Sequence, residues 1–139
     1  MKWGDCLETH VVEIKVNKEI AESLLNMASL RYEFWSKIKL DSKYSSLAVE
    51  GIYESIKELL TALLYCNGFK SDNHECLIAF LKHNYPCLSY EIGIIYQLKD
   101  LRNEIDYKGQ IVSPEYLERN RLEFKHIFDV LSKAVKANF

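Results

Sequence analysis

The stretch Arg102-Asn103-Glu104-Ile105-Asp106-Tyr107 brings a guanidinium, an amide, two carboxylates and a phenol together just ahead of Lys108-Gly109. It lies where an apolar helical repeat runs out, so these groups would be held at the rim of a folded body beside solvent. Arg102 falls on the continuation of the apolar stripe, where a guanidinium is costly unless it is paired. Two pairings are open. One is an ion pair with Asp106 at i+4, worth a few tenths of a kcal/mol. The other is a fork for an external phosphate or carboxylate, which suits the planar guanidinium. Asn103 is a poor residue for a helix interior. Tyr107 can cover the helix end, stack on a base or donate a hydrogen bond.

His74 is the second residue with chemical potential. It stands at the start of a short helical segment, either as a neutral structural imidazole or as an acid, base or phosphate donor facing a cleft. Lys70 precedes it by four residues and can serve as a further cation. His10, His83 and His126 carry less signal. Cys66, His74, Cys76 and Cys87 cluster in sequence, but none forms the Cys-x-x-Cys pair usual for structural zinc, so no metal site is expected. There is no Walker loop, His-Glu-x-x-His or Gly-x-Ser-x-Gly, and no cofactor is expected.

The chain that must position these residues has 139 positions, a formal charge of −2 and 48% hydrophobic residues. That suits one domain with its own core. The charge gives no general attraction to nucleic acid or to an anionic membrane. No apolar run is long enough to span a bilayer, and Met1-Lys2-Trp3-Gly4-Asp5 has no apolar signal core, so a cytoplasmic location is expected. The four cysteines are then expected as reduced thiols.

Residues 1–16 read as an N-terminal arm. Val12, Ile14 and Val16 alternate with Glu13 and Lys15 at strand period, and the arm would pack on the domain or on a partner chain. Residues 17–139 read as a helical bundle. Asn17 caps a helix to about Leu40 whose core stripe is Ile20, Leu24, Met27, Phe34 and Ile38, with Ala21, Leu25, Ala28, Tyr32 and Trp35 alongside. Asp41-Ser42-Lys43 breaks the chain. A second helix runs from about Ser45 to Cys66 and is apolar almost all round in its later half, as a central helix would be. Ala48 and Gly51 would let a neighbour approach closely. Asn67-Gly68 ends it. Ser71, Asp72 or Asn73 caps a third helix over about 73–84. Ser89 caps a fourth, to about Ile105, which Lys108-Gly109 stops. Ser113-Pro114-Glu115 starts a fifth. Trp35, Tyr53 and Tyr65 fall at helical spacing and read as core. The expectation is an all-α, up-and-down bundle of about five helices.

Two segments resemble a known family. Asn67-Gly68-Phe69-Lys70-Ser71-Asp72-Asn73-His74-Glu75-Cys76-Leu77 is similar to the loop and third helix of small prokaryotic HEPN domains. Leu98-Lys99-Asp100-Leu101-Arg102-Asn103-Glu104-Ile105-Asp106-Tyr107 resembles the Arg-Asn segment of their fourth helix. The likeness covers about residues 18–135. It implies a four- or five-helix domain, commonly a homodimer. Many members are metal-independent ribonucleases with an Arg-x(4–6)-His motif completed across the dimer, and some are toxins paired with a small nucleotidyltransferase. Others have lost the motif and bind nucleotides or partners.

Arg102 and Asn103 match the start of that motif, but Tyr107, Lys108 and Gly109 occupy the three places open to its histidine. RNA cleavage without a metal needs a group that moves a proton near neutral pH; a phenol titrates near 10. The resemblance therefore implies a homodimeric protein that binds nucleotide, RNA or a partner protein through Arg102, Asn103, Tyr107, His74 and Lys70. A divergent ribonuclease toxin using Arg102, His74 and Tyr107 is one alternative, and a purely structural interaction module is another.

Overall fold

The computed structural model describes residues 1–37 and 43–139. It is an all-α bundle, 79% helical, with six α-helices and a two-stranded sheet among the described residues. In chain order these are α1 (Trp3–Thr9), β1 (Val12–Glu13), α2 (Lys18–Lys37), α3 (Ser45–Cys66), β2 (Phe69–Lys70), α4 (His74–Asn84), α5 (Ser89–Lys108) and α6 (Pro114–Lys136).

α3 is the axis of the fold. It buries residues on most of its circumference, including Val49, Tyr53, Ile56, Leu59, Leu60 and Leu63, and packs against α2, α4, α5 and α6. A helix this apolar cannot be half solvated, so the other helices must wrap it. Its ends are fixed by local chemistry. At the start, Ser46 Oγ accepts the Val112 N–H at 2.7 Å, which docks the α5–α6 link. At the end, Gly68 takes φ +82°, and a Cβ there would stand 3.0 Å from the Ile14 carbonyl oxygen. Ile14 N–H in turn donates to the Gly68 carbonyl at 2.9 Å.

Most expected helix ends are found. Asn17 Oδ1 accepts the Ile20 N–H at 3.0 Å, Asn73 Oδ1 the Cys76 N–H at 3.0 Å, and Ser113 Oγ the Tyr116 N–H at 3.3 Å. Gly109 closes α5 in the left-handed conformation at φ +65°. Ser89 differs from expectation: it is the first helical residue, and Leu88 holds the cap position without a side-chain bond. Pro86 starts a 3-10 turn over Pro86–Leu88 that runs straight into α5, leaving no break for Ser89 to cap. The expected α2 residues Ile38 and Leu40, and Asp41 and Ser42 of the expected break, lie outside the described residues.

The N-terminal segment is not wholly extended. Residues 3–9 form α1, which buries Trp3 and Cys6 against α4, and the extended part follows as β1. β1 pairs antiparallel with β2, Val12 opposite Lys70 and Glu13 opposite Phe69. Trp3 makes edge contacts with Phe69 and Phe80 at 5.3 and 5.2 Å between ring centres. The segment therefore packs on its own chain.

The expectation of four reduced thiols is overturned for two of them. Cys6 and Cys76 form a disulfide, with Cα atoms 5.6 Å apart, while Cys66 and Cys87 are free. The two partners are 70 residues apart in sequence and meet only because α1 lies on α4.

The orientation of α2 also differs. Ala21, Leu25 and Ala28 are its buried residues, whereas Ile20, Met27 and Phe34 of the expected core stripe are exposed. Small residues on both helices explain this. The Trp35 indole lies over Gly51, where a Cβ would come within 2.0 Å of its Nε1. The α2–α3 contact selects the face that allows the closest approach.

Gly51→Ala should therefore destabilise the protein by about 1–3 kcal/mol through overpacking, seen as a lower urea midpoint at unchanged slope. Reducing the Cys6–Cys76 bond, or replacing both cysteines by serine, should cost about 2–4 kcal/mol, read from the same titration with and without reductant.

Candidate binding site at Arg102

The last two turns of α5 bring Arg102, Asn103 and Asp106 against α3. On its α5-facing edge α3 carries Glu50, Glu54 and Lys57, with Glu58 one step further round. Their spacing of three and four places them on one strip. This is the polar strip of an otherwise apolar helix, and it gathers charge from both sides. From α2, Arg31 pairs with Glu58. From α5, Arg102 reaches across to Glu54.

Arg102 is held three ways within its own chain. Nη2 contacts Glu54 Oε1 at 3.3 Å, Nε lies 2.9 Å from Asp106 Oδ2, and Nη1 donates to Asn103 Oδ1 at 3.4 Å. The Nε contact is an ion pair without an aligned hydrogen bond, because the buried N–H does not aim at the carboxylate. Of the two expected pairings, the i+4 pair with Asp106 is present, and a second carboxylate, Glu54 of α3, also pairs with Arg102 within the chain. Glu54 also bridges to Lys57 Nζ at 2.8 Å. The Arg102 side chain is 19% exposed.

His74 reaches the same cluster from the head of α4. Its Nδ1 and the Tyr53 hydroxyl are hydrogen-bonded at 3.0 Å, and the Arg102 guanidinium carbon lies 6.0 Å from the Tyr53 ring centre. Tyr53 is buried, so it is core as expected, yet it is also the joint between the two sequence-marked residues. Asn103 belongs to the cluster through Arg102. Tyr107 and Lys70 do not join this network among the described residues: Tyr107 is 77% exposed beyond it, and Lys70 is exposed on β2.

The electrostatics follow from this crowding. A hydrogen bond to Asp106, aided by burial and the Asp106 charge, pushes the Glu50 carboxyl up to about 7, although Arg102 pulls the other way. Glu50 therefore keeps its proton up to near neutral pH. Burial lowers His74, and the positive charges of Lys57 and Arg102 lower it further, so its imidazole is neutral at pH 7. Burial raises the Tyr53 phenol, which stays protonated. Arg102 and Lys57 thus stand among Glu50, Glu54 and Asp106, with a neutral imidazole at the edge.

Glu50, Glu54 and Lys57 were not singled out from the sequence. Their trace was charge at helical spacing on the first half of α3, which reads equally as a solvated face. Among the described residues no group of three or more His, Cys, Asp or Glu side chains is arranged to hold a metal ion.

Comparison with protein-family models, curated proteins and solved structures finds no match to this chain.

Because Glu50 binds its proton more tightly in the folded chain than in the unfolded one, stability should fall as pH rises through about 7. Glu50→Gln removes that dependence. Its melting temperature should gain on the wild type between pH 5 and pH 8, measured by thermal denaturation followed by circular dichroism.

Proposed function

We propose that the chain is a HEPN-like homodimeric binding protein that takes a nucleotide, an RNA end or a partner protein at the α3–α5 strip, without the ribonuclease chemistry of the family it resembles. The observation that supports this most is convergence. Arg102 from α5 and His74 from α4, both marked in sequence, each come to Tyr53, His74 by a hydrogen bond to its hydroxyl and Arg102 near its ring.

Arg102 would grip a phosphate or carboxylate by exchanging Glu54 or Asp106 for it. At an effective dielectric near 20, each such contact at about 4 Å amounts to about 4 kcal/mol before desolvation, so an incoming anion gains only the difference between two similar pairings. Protonating Glu50 removes one nearby negative charge and tips that exchange toward the ligand. Binding is therefore weak in alkali and tighter in mild acid.

The noncatalytic reading rests on the proton carriers. Tyr107 is exposed away from the cluster and the His74 Nδ1 is engaged with Tyr53, which counts against either serving as the acid or base. A ribonuclease toxin paired with a small nucleotidyltransferase would need one of them to move there. A second reading, a structural module, is favoured by one observation: Glu54 and Asp106 both pair with Arg102, so that the trio stitches α5 to α3.

Calorimetric titration with ATP and with a short single-stranded RNA at pH 6 and pH 8 tests these readings. Arg102→Ala should weaken binding at least tenfold, a loss of about 1.4 kcal/mol or more, and Glu54→Gln should tighten it. Equal binding by wild type and Arg102→Ala, with lowered stability in the variant, would assign Arg102 to scaffolding instead.

A further inference from the structure

The Cys6–Cys76 bond joins a short helix to the turn that presents His74. Both cysteines are 0% exposed, and Met1 Sδ lies 3.6 Å from Cys76 Sγ. Cys76 belongs to the first turn of α4, two residues after His74. α1 packs chiefly on α4 and has seven residues, too few to persist as a helix in water alone. Its other holds are Trp3, set edge-on to Phe69 and Phe80, and the short pairing of β1 with β2. These offset only part of the entropy of ordering the segment.

A second link runs beside the covalent one. His10, which closes α1, accepts the Ser71 hydroxyl through its carbonyl at 2.9 Å. The same Ser71 Oγ accepts the Asn73 N–H at 3.1 Å. Asn73 Oδ1 in turn caps α4 by accepting the Cys76 N–H at 3.0 Å. Between these fixtures stand His74, hydrogen-bonded to the Tyr53 hydroxyl, and Glu75, whose Oε1 accepts from Lys99 Nζ at 2.8 Å. The end of α1 and the head of α4 therefore move as one unit. When α1 leaves, the bond from His10 is lost, and with it the fixed placement of Ser71 and Asn73.

We propose that Cys6–Cys76 is a redox latch that sets the position of His74. Closed, it keeps α1 on α4 and holds the imidazole to Tyr53. A dithiol opens it with two electrons. One thiolate of the reductant attacks a sulfur of the bond, forming a mixed disulfide and expelling the other cysteine as a thiolate. The second thiol then closes the reductant's own disulfide and frees the remaining cysteine, and the two cysteines take up the two protons that the dithiol loses. Because both sulfurs are buried, attack waits on α1 lifting away, so the contacts of Trp3 gate the latch. Once the thiols are reduced, the first turn of α4 lacks its covalent fixture and loses the His10 bond whenever α1 departs, and His74 parts from Tyr53.

The latch does not depend on ligand binding at Arg102 and is tested without it. The full-length chain carries Cys87→Ser, which removes the exposed thiol. Cleavage by dithiothreitol should be at least about tenfold faster after Trp3→Ala, with helical circular dichroism unchanged. The His74 imidazole signals in nuclear magnetic resonance, assigned by their loss in His74→Gln, should shift on reduction, while those of His126 on α6 stay in place. Cys6→Ser with Cys76→Ser should show the shifted signals from the start and no response to dithiothreitol. Cleavage at the same rate with and without Trp3, His74 signals that ignore reduction, or a reduced chain that loses its helical circular dichroism would overturn the latch. Equal nucleotide binding by wild type and Arg102→Ala would sink the Arg102 reading and leave the latch standing.

Discussion

One constraint governs this fold: α3 is too apolar to face water on more than one narrow strip. Five elements close around it, and the strip they leave open carries Glu50, Glu54 and Lys57, edged by Glu58. Position and chemistry are therefore linked. The charged residues of α3 lie where no helix covers them, so charged groups on the flanking helices that reach the strip find partners there. Arg31 from α2 and Arg102 from α5 both turn to that strip. The candidate site is what remains uncovered once the core is satisfied.

This origin explains its electrostatic character. Three carboxyls and two cations share a small half-buried area, and the proton affinity of Glu50 is set by these neighbours as well as by solvent. Glu50 is lifted to about 7 by Asp106, while Asp106 and Glu54 hold Arg102 between them. The cluster is nearly neutral as a whole and holds one guanidinium under competing claims. Both claims come from carboxylates of its own chain.

Much of the architecture was legible because it depends on local chemistry. Asn67-Gly68, Lys108-Gly109 and Ser113-Pro114 end or start helices through bonds made within a few residues, and the structure places all three as read. What the sequence left open required long-range information. α1 is too short to hold itself together and depends on Trp3 finding Phe69 and Phe80. The buried face of α2, Ala21, Leu25 and Ala28, is the less bulky of its two apolar stripes, and the choice between them was made by close approach to Gly51 on another helix. At the site, Asp106 was readable as the i+4 partner of Arg102. Glu54 was not, because it lies on α3 and nothing local links it to α5.

The Cys6–Cys76 bond turns part of the chain into a covalent ring. That ring holds α2, α3 and the head of α4, while α5 and α6 hang outside it. Glu50, Glu54, Tyr53 and His74 are inside; Arg102 and Asp106 are not. With the bond closed, the α2–α3 hairpin has less disorder to gain from opening than the C-terminal pair of helices does. Loosening would begin at α5, carrying the guanidinium away from a still-closed frame, so the Arg102 cluster would be lost well before the remainder of the molecule.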